Sequence, residues 1–493
     1  MLLLIFLACF TGLHYIIPTN QLFPSIYEFI PAKLINSLYS DDKSSHTENI
    51  ELLADSVKIK VPENILPVDS VSSPVTELSF DPMKGFLDSL RYSRGQVRVM
   101  YYGDSQIEGD RITSYLRRTL RKRQSGTGPG LFLPLMPVMY TNTIWLKSSS
   151  NWKRYNYLSF KTGELSHHQL GPFMTICRYL PDGEKSAVPV NAFVKIRPSD
   201  IADSSSSKYD FLRVFYGNTE GIVNIVVKTD ENEVFADTLK RGKGFNEITC
   251  PLNQATDILI EFTGNVSPDI YGISIESRAG LIIDNIPQRG SAGLEFTMVD
   301  KKNLADSYRV LSPDLFILHY GLNIVKNVRG NYSYYRKGLG RQLALLKEIS
   351  PDTRILVISL TDMAVKEGDS IKSYRNIPSI IEAQRKATLD AGVPFWDSYA
   401  AMGGRSSIIK WEEKKPPLAQ KDYVHFTYRG ADTLSKMLVD AMFAYSIQPG
   451  KVIQEKSVSI VQAHTEIEKN NAIRCLFTSL FKYDPEEPLI FST

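Results

Sequence analysis

Cysteine and histidine are scarce, with four of the first and seven of the second in 493 residues. The cysteines, Cys9, Cys177, Cys250 and Cys475, form no CxxC pair and stand at no metal-ligand spacing to the histidines, which argues against a zinc site. Cys177 and Cys250 fall in one β-rich stretch, where two buried thiols are the commoner arrangement and a disulfide the rarer one. Excess charge is also lacking. The formal net charge is +3, so there is no concentrated basic face of the kind nucleic acid requires. One basic run, Arg117-Arg118-Thr119-Leu120-Arg121-Lys122-Arg123, reads as the solvated face and end of a helix. Nothing in the sequence calls for a metal or an organic cofactor, and there are no internal repeats. A long apolar run occurs at the N-terminus, where Leu2 to Ile17 is interrupted only by Thr11, Gly12 and His14. It is long enough for the core of a signal peptide and marginal for a membrane span. Residues 1–20 are therefore expected to export or anchor the chain, although the basic residues that usually open a signal peptide are missing.

What is present is an average globular composition, 43% apolar and 23% charged, in a chain long enough for roughly three domains. Residues 21–75 are rich in Ser, Asp and Pro and read as a linker. A helix is expected over Asp81 to Tyr92 and a buried strand over Val97 to Tyr102. The spacing of Ile112, Tyr115, Leu116 and Leu120 predicts an amphipathic helix from Glu108 to Arg123. From 141 to 278 the pattern changes to short alternating runs such as FLRVFYG and TDILIEFTG, separated by turn residues, which suggests a β-sandwich or jelly roll. From 279 to 446 strands and helices alternate again, and 447–493 is a charged tail with weak periodicity. The architecture expected is an α/β domain with a parallel sheet, in two parts (76–140 and 279–446), interrupted by an all-β domain over 141–278.

The chemistry centres on Gly103-Asp104-Ser105, at the carboxyl end of the first strand, where open α/β sheets place their ligands. A serine nucleophile needs a base, a group that orients the base, and donors for an oxyanion. In KDYVHFTYRG, Asp422 and His425 are separated by two residues, a spacing that can set a carboxylate against one imidazole nitrogen. The same spacing also suits a capping aspartate and a packed histidine. Gly290, after the strand LIID, offers a backbone N–H, and Asn323, after LFIL, offers a side-chain amide. In a parallel sheet all of these loops share one edge. The second Gly-Asp-Ser, Gly368 to Ser370, follows the polar run AVKE instead of a strand and reads as a surface turn.

Together these blocks resemble the SGNH, or GDSL, hydrolase superfamily. The stretches GTGPGLFLP, WDSYAAMGG and KDYVHFT, with the intervening β region, are similar to the peptidoglycan O-acetylesterases of the Ape type, over about 80 to 445. The resemblance implies an SGNH, flavodoxin-like three-layer domain with an inserted carbohydrate-binding-like β domain. It implies Ser105 as nucleophile, His425 as base and acid, and Asp422 as its orienting group, with Ser105, Gly290 and Asn323 forming the oxyanion hole. It also implies a serine esterase of the bacterial periplasm or cell envelope acting on O-acetylated polysaccharide, most of all peptidoglycan. Two departures stand out. Gln106 follows the serine where the family commonly has His or Leu, and Pro287-Gln288-Arg289 precedes Gly290 where a small-residue loop is usual.

Three other readings use the same residues. A polysaccharide O-acetyltransferase would replace water by a sugar hydroxyl. A xylan-type acetylesterase would change only the glycan. An inactive, anchored carbohydrate-binding protein would use inserted-domain aromatics such as Tyr209, Phe211, Phe215 and Tyr216 to stack on sugars, although strand alternation makes about half of these core positions. Trp396 reads first as a core residue and second as a pocket wall.

Overall fold

The strand Gln96–Gly103 (β1) is buried along almost its whole length, as expected of a strand covered on both faces. In the computed structural model, which describes residues 81–447, it lies between two parallel neighbours, Gly280–Pro287 (β2) and Leu315–His319 (β3). Arg354–Ile358 (β4) and Phe395–Trp396 (β5) complete a five-stranded parallel sheet in the order β2-β1-β3-β4-β5. This is the flavodoxin-like order, and the strand order reverses its progress between β1 and β3. The N-terminal apolar run, the linker and the charged tail lie outside the described residues.

Side-chain alternation along the strands builds three layers. Val97, Val99 and Tyr101 of β1 point into one apolar cluster with the helices Asp81–Tyr92 (α1) and Thr113–Leu120 (α2). Met100 and Tyr102 point into the other, with Lys301–Leu311 (α3), Ser333–Ile349 (α4) and Ile377–Ala391 (α5). The helix Tyr428–Ile447 (α6) brings Leu434 and Leu438 to the first cluster. Among the described residues no helix is long and apolar enough to cross a membrane.

Between β1 and β2 the chain makes two antiparallel sheets. One is ordered Asn246–Pro251, Phe211–Gly217, Asp269–Glu276, Thr175–Arg178 and Lys153–Asn156, and Gly130–Phe132 also pairs with Asp269–Glu276. The other is ordered Ile144–Ser148, Val190–Pro198, Ile258–Gly264, Val223–Thr229 and Asn232–Thr238. In the second sheet Val194, Ile196, Ile225, Val227, Ile258 and Ile260 are all fully buried, the alternation seen in the sequence. Cys177 and Cys250 are buried free thiols, and burial pushes both thiol groups up.

Buried charge joins the β region to the parallel sheet. Arg98 of β1 is fully buried and donates to both carboxylate oxygens of Asp284 in β2, at 2.9 and 2.7 Å, and to Glu276 at the end of its strand. Arg213 donates to the other oxygen of Glu276 at 3.0 Å. Burial acts to raise the Glu276 carboxyl, but the charges of Arg98 and Arg213 outweigh it and hold the group down to about 2. Arg98→Met removes the shared cation and leaves two buried carboxylates, so it is expected to cost about 3–5 kcal/mol of unfolding free energy near neutral pH. Because the Glu276 group lies below its unfolded value, its contribution is present above the ordinary carboxylate range and is lost as pH falls toward about 2. Denaturant melts of both proteins at about pH 7 and about pH 4 should therefore show the gap narrowing in acid, where the variant's carboxylates take up protons.

Three local expectations are corrected. The predicted helix from Glu108 to Arg123 is a 3-10 turn, Ser105–Asp110, followed by the shorter α2. Glu108 is extended (ψ 151°), and Gly109 and Asp110 have φ of 70° and 63°, so the turn cannot run on into the helix. The basic run is only partly solvated. Arg117 and Arg121, one turn apart, point inward and donate to the carbonyls of Ile283 and Leu281, while Arg118, Lys122 and Arg123 are exposed. Likewise AVKE is a strand, paired antiparallel with Ser370–Ser373, and Gly368-Asp369 is the exposed turn of that hairpin.

Candidate active site

β1 ends at Gly103, where a Cβ would come within 3.0 Å of the His319 carbonyl oxygen and of the Ile107 side chain. The chain then turns sharply. Asp104, buried, caps the 3-10 turn by accepting the Gln106 N–H at 3.0 Å. Burial raises the Asp104 carboxyl to about 6, against the opposing pull of the Gln106 N–H and of His425. Ser105 thus leaves the sheet at the reversal between β1 and β3, on the carboxyl edge.

Three of the residues singled out in the sequence form one hydrogen-bonded chain. Ser105 Oγ lies 2.8 Å from His425 Nε2, and His425 Nδ1 lies 2.6 Å from Asp422 Oδ2. The other oxygen of Asp422 accepts the N–H groups of Val424 and His425, both at 3.0 Å. Burial acts to raise the Asp422 carboxyl, but the His425 ring and these two N–H groups outweigh it and bring it down to about 2. An ionised Asp422 can only accept, so Nδ1 carries the ring proton. In the neutral imidazole Nε2 is then left with a lone pair directed at the Ser105 hydroxyl. A second histidine, His319 at the end of β3, is buried beside the Tyr101 hydroxyl, and burial pulls it down to about 4.

The sheet register carries the other two residues to the same edge. Gly103 stands opposite Pro287 of β2 and His319 of β3. Ser105, Gly290 and Asn323 follow these positions by two, three and four residues. Gly290 has φ of 80° with open space around it, so backbone conformation and not crowding asks for glycine there. Asn323 is exposed and donates one amide N–H to the Ser291 carbonyl at 2.8 Å, which ties its loop to that of Gly290. The N–H groups of Ser105 and Gly290 have no acceptor among the described residues.

Several contributors were not legible as functional. Arg111 donates to the carbonyls of Glu108 and Ser105, both at 2.8 Å, and of Phe426 at 3.2 Å, and so fastens the serine turn to the histidine loop. Two of the three residues that depart from the family pattern before Gly290 are anchors. Gln288 reaches the Phe173 carbonyl of the β region at 3.1 Å and accepts from Tyr320. Arg289 makes a two-pronged pair with the buried Glu108 at 2.8 and 2.6 Å. Their signal in the sequence was only that long polar residues stood where small ones are usual. Beside this cluster lies an open cleft of about 380 Å³, lined in part by Glu108, Arg111, Gln420 and Tyr428.

Other candidates are placed elsewhere. Trp396 is half-buried and packs against the apolar cluster of α1, α2 and α6. Tyr209, Phe215 and Tyr216 are buried in the β region and present no face for stacking on a sugar, and Phe211 is half-buried with the Arg278 guanidinium over its ring. No group of His, Cys, Asp or Glu among the described residues is placed to hold a metal ion.

A parallel sheet in the order 2-1-3-4-5, covered by helices on both faces and interrupted after its first strand by antiparallel sheets, is a flavodoxin-like three-layer α/β fold with an inserted β region. A peptidoglycan O-acetylesterase of known structure has this fold and matches with a TM-score of 0.58, at 19% identity, over 76% of this chain and 98% of its own. A family two carbohydrate esterase from Cellvibrio japonicus (6% identity, 62% of this chain and 99% of its own, TM-score 0.24) and an acetyl xylan esterase (14%, 33% and 81%, TM-score 0.25) are more distant matches. No protein-family model matches the chain, and no curated protein does.

Proposed function

We propose that this protein is a serine O-acetylesterase that removes acetyl groups from a cell-envelope polysaccharide, peptidoglycan first among them. The observation that carries the reading is the chain from Ser105 through His425 to an ionised Asp422 at the switch point of the sheet. Likeness to a peptidoglycan O-acetylesterase along nearly that protein's whole length supports the substrate.

The mechanism follows from the atoms. Ser105 Oγ attacks the acetyl carbonyl carbon while His425 Nε2 takes the hydroxyl proton. The charge that develops on the carbonyl oxygen meets the N–H groups of Ser105 and Gly290 and the Asn323 amide. Collapse of the tetrahedral intermediate breaks the bond to the sugar oxygen, and His425 returns its proton to that oxygen. Water, deprotonated by His425, then attacks the acetyl-serine, and acetate leaves as the Ser105 hydroxyl re-forms. The side chains of Asp422 and His425 are 43% and 28% exposed, so water has direct access to the base. That favours hydrolysis over transfer to a sugar hydroxyl, which requires water to be kept out. The apolar run from Leu2 to Ile17 would carry the enzyme to the periplasm or cell envelope of a bacterium.

Acetate release from O-acetylated peptidoglycan and from acetylated xylan, measured side by side, tests the substrate. Faster release from peptidoglycan is expected, and release from xylan alone would move the enzyme to a plant glycan. Asn323→Ala is expected to lower turnover about 10²- to 10³-fold with little change in KM, because its amide serves the transition state. Wild-type turnover from that variant would remove Asn323 from the oxyanion hole.

A further inference from the structure

We propose that Gln106 is a positioning residue that holds the general base in line with the nucleophile. The proposal rests on the esterase reading above. The Gln106 side chain is 1% exposed and is aimed at the histidine loop. Its Nε2 donates to the Val424 carbonyl at 2.9 Å, and its Oε1 accepts the Phe426 N–H at 3.1 Å. These are backbone groups of the two residues that flank His425. One planar amide therefore brackets the base in sequence, with a donor on one side and an acceptor on the other.

The histidine loop needs such a brace. Residues 421–425 are turns and bends, Phe426 makes a lone bridge with Ala419, and Tyr423 sits at φ of 55° with its carbonyl accepting the Ala364 N–H at 3.0 Å. Asp422 holds the loop from within through the Val424 and His425 N–H groups, and Gln420 bonds to the carbonyls of His425 and Phe426. The bonds of Asp422 and Gln420 are local to the loop. Arg111 ties the Phe426 carbonyl to the serine turn from one side, and Gln106 ties the residues on both sides of His425 to it. Because Gln106 directly follows Ser105, the bracket closes a short ring. It runs from Ser105 along the backbone to Gln106, across two hydrogen bonds to the histidine loop, and back through His425 to Ser105 Oγ. A shift of the loop is thereby resisted by the same turn that aims the nucleophile.

The bracket demands an amide of this length. Leucine supplies neither bond, and asparagine is one methylene short. An ionised glutamate would face the Val424 carbonyl with a second acceptor. A protonated glutamic acid, in contrast, offers one O–H donor and one acceptor, as glutamine does.

The test uses the full chain with an aryl acetate, and Ser105→Ala as the blank. Gln106→Leu is expected to lower kcat about 10- to 100-fold, as a misplaced catalytic group does, with KM within about twofold of wild type. Gln106→Glu gives the sharper signature. A carboxyl buried at this site titrates well above its ordinary range. The ratio of variant to wild-type kcat should therefore rise as pH is lowered from about 9 to about 6, where the acid form restores both bonds. If Gln106→Leu does not fold, the Gln106→Glu ratio decides alone. A ratio flat with pH, or Gln106→Leu at wild-type kcat, would overturn the proposal. Absence of Ser105-dependent turnover in the wild type would instead overturn the esterase reading on which it rests.

Discussion

Ser105→Ala is expected to lower kcat/KM for an acetyl ester by about 10⁴- to 10⁶-fold while the melting temperature stays near that of the wild type. The loss is large because the hydroxyl is the group that forms the new bond and the one that His425 Nε2 meets at 2.8 Å. The structural effect is small because the side chain contributes one hydrogen bond, to His425 Nε2. Some residual catalysis should survive, since the backbone donors of Ser105 and Gly290 and the Asn323 amide do not depend on the hydroxyl. Kinetics and a thermal melt on the same preparation check both halves.

His425→Ala should cost nearly as much, and the double variant with Ser105→Ala should be no worse than either alone by more than a few-fold. Nucleophile and base act as a unit: without the base the serine keeps its proton, and without the serine the base has nothing to activate. Independent contributions would multiply, and the double variant would then fall far below both single ones. Asp422 keeps its charge down to about 2, so it stands ionised across the whole range in which these rates would be measured. If His425→Ala retained activity that Ser105→Ala had lost, the base would have to be sought elsewhere.

The fold was legible where periodicity was strong. The buried run of β1, the helix α1 and the alternating strands of the β region follow directly from side-chain pattern. The segment after Ser105 was not, because apolar spacing at Ile112, Leu116 and Leu120 says nothing about a backbone broken by Glu108, Gly109 and Asp110. Nor could charge alone tell that Arg117 and Arg121 turn inward. Their partners are main-chain carbonyls of a strand some 160 residues away in sequence, which have no residue signature. The same holds at the site. Ser105, Asp422 and His425 have chemistry that a sequence can display, and so do Gly290 and Asn323. Gln106, Arg111 and Gln288 act through backbone groups, and a contact to a backbone group leaves no mark in the sequence of its partner.

The most direct test of the central claim is to trap the acyl-enzyme. Enzyme in excess is mixed with an isotopically labelled acetyl ester, quenched in acid within a single turnover, digested and analysed by peptide mass. The label is expected as one acetyl group on the peptide that contains Ser105, and absent from that peptide in Ser105→Ala. Acetate released in the same time with no acetyl on Ser105, or with acetyl on another residue, would contradict the account.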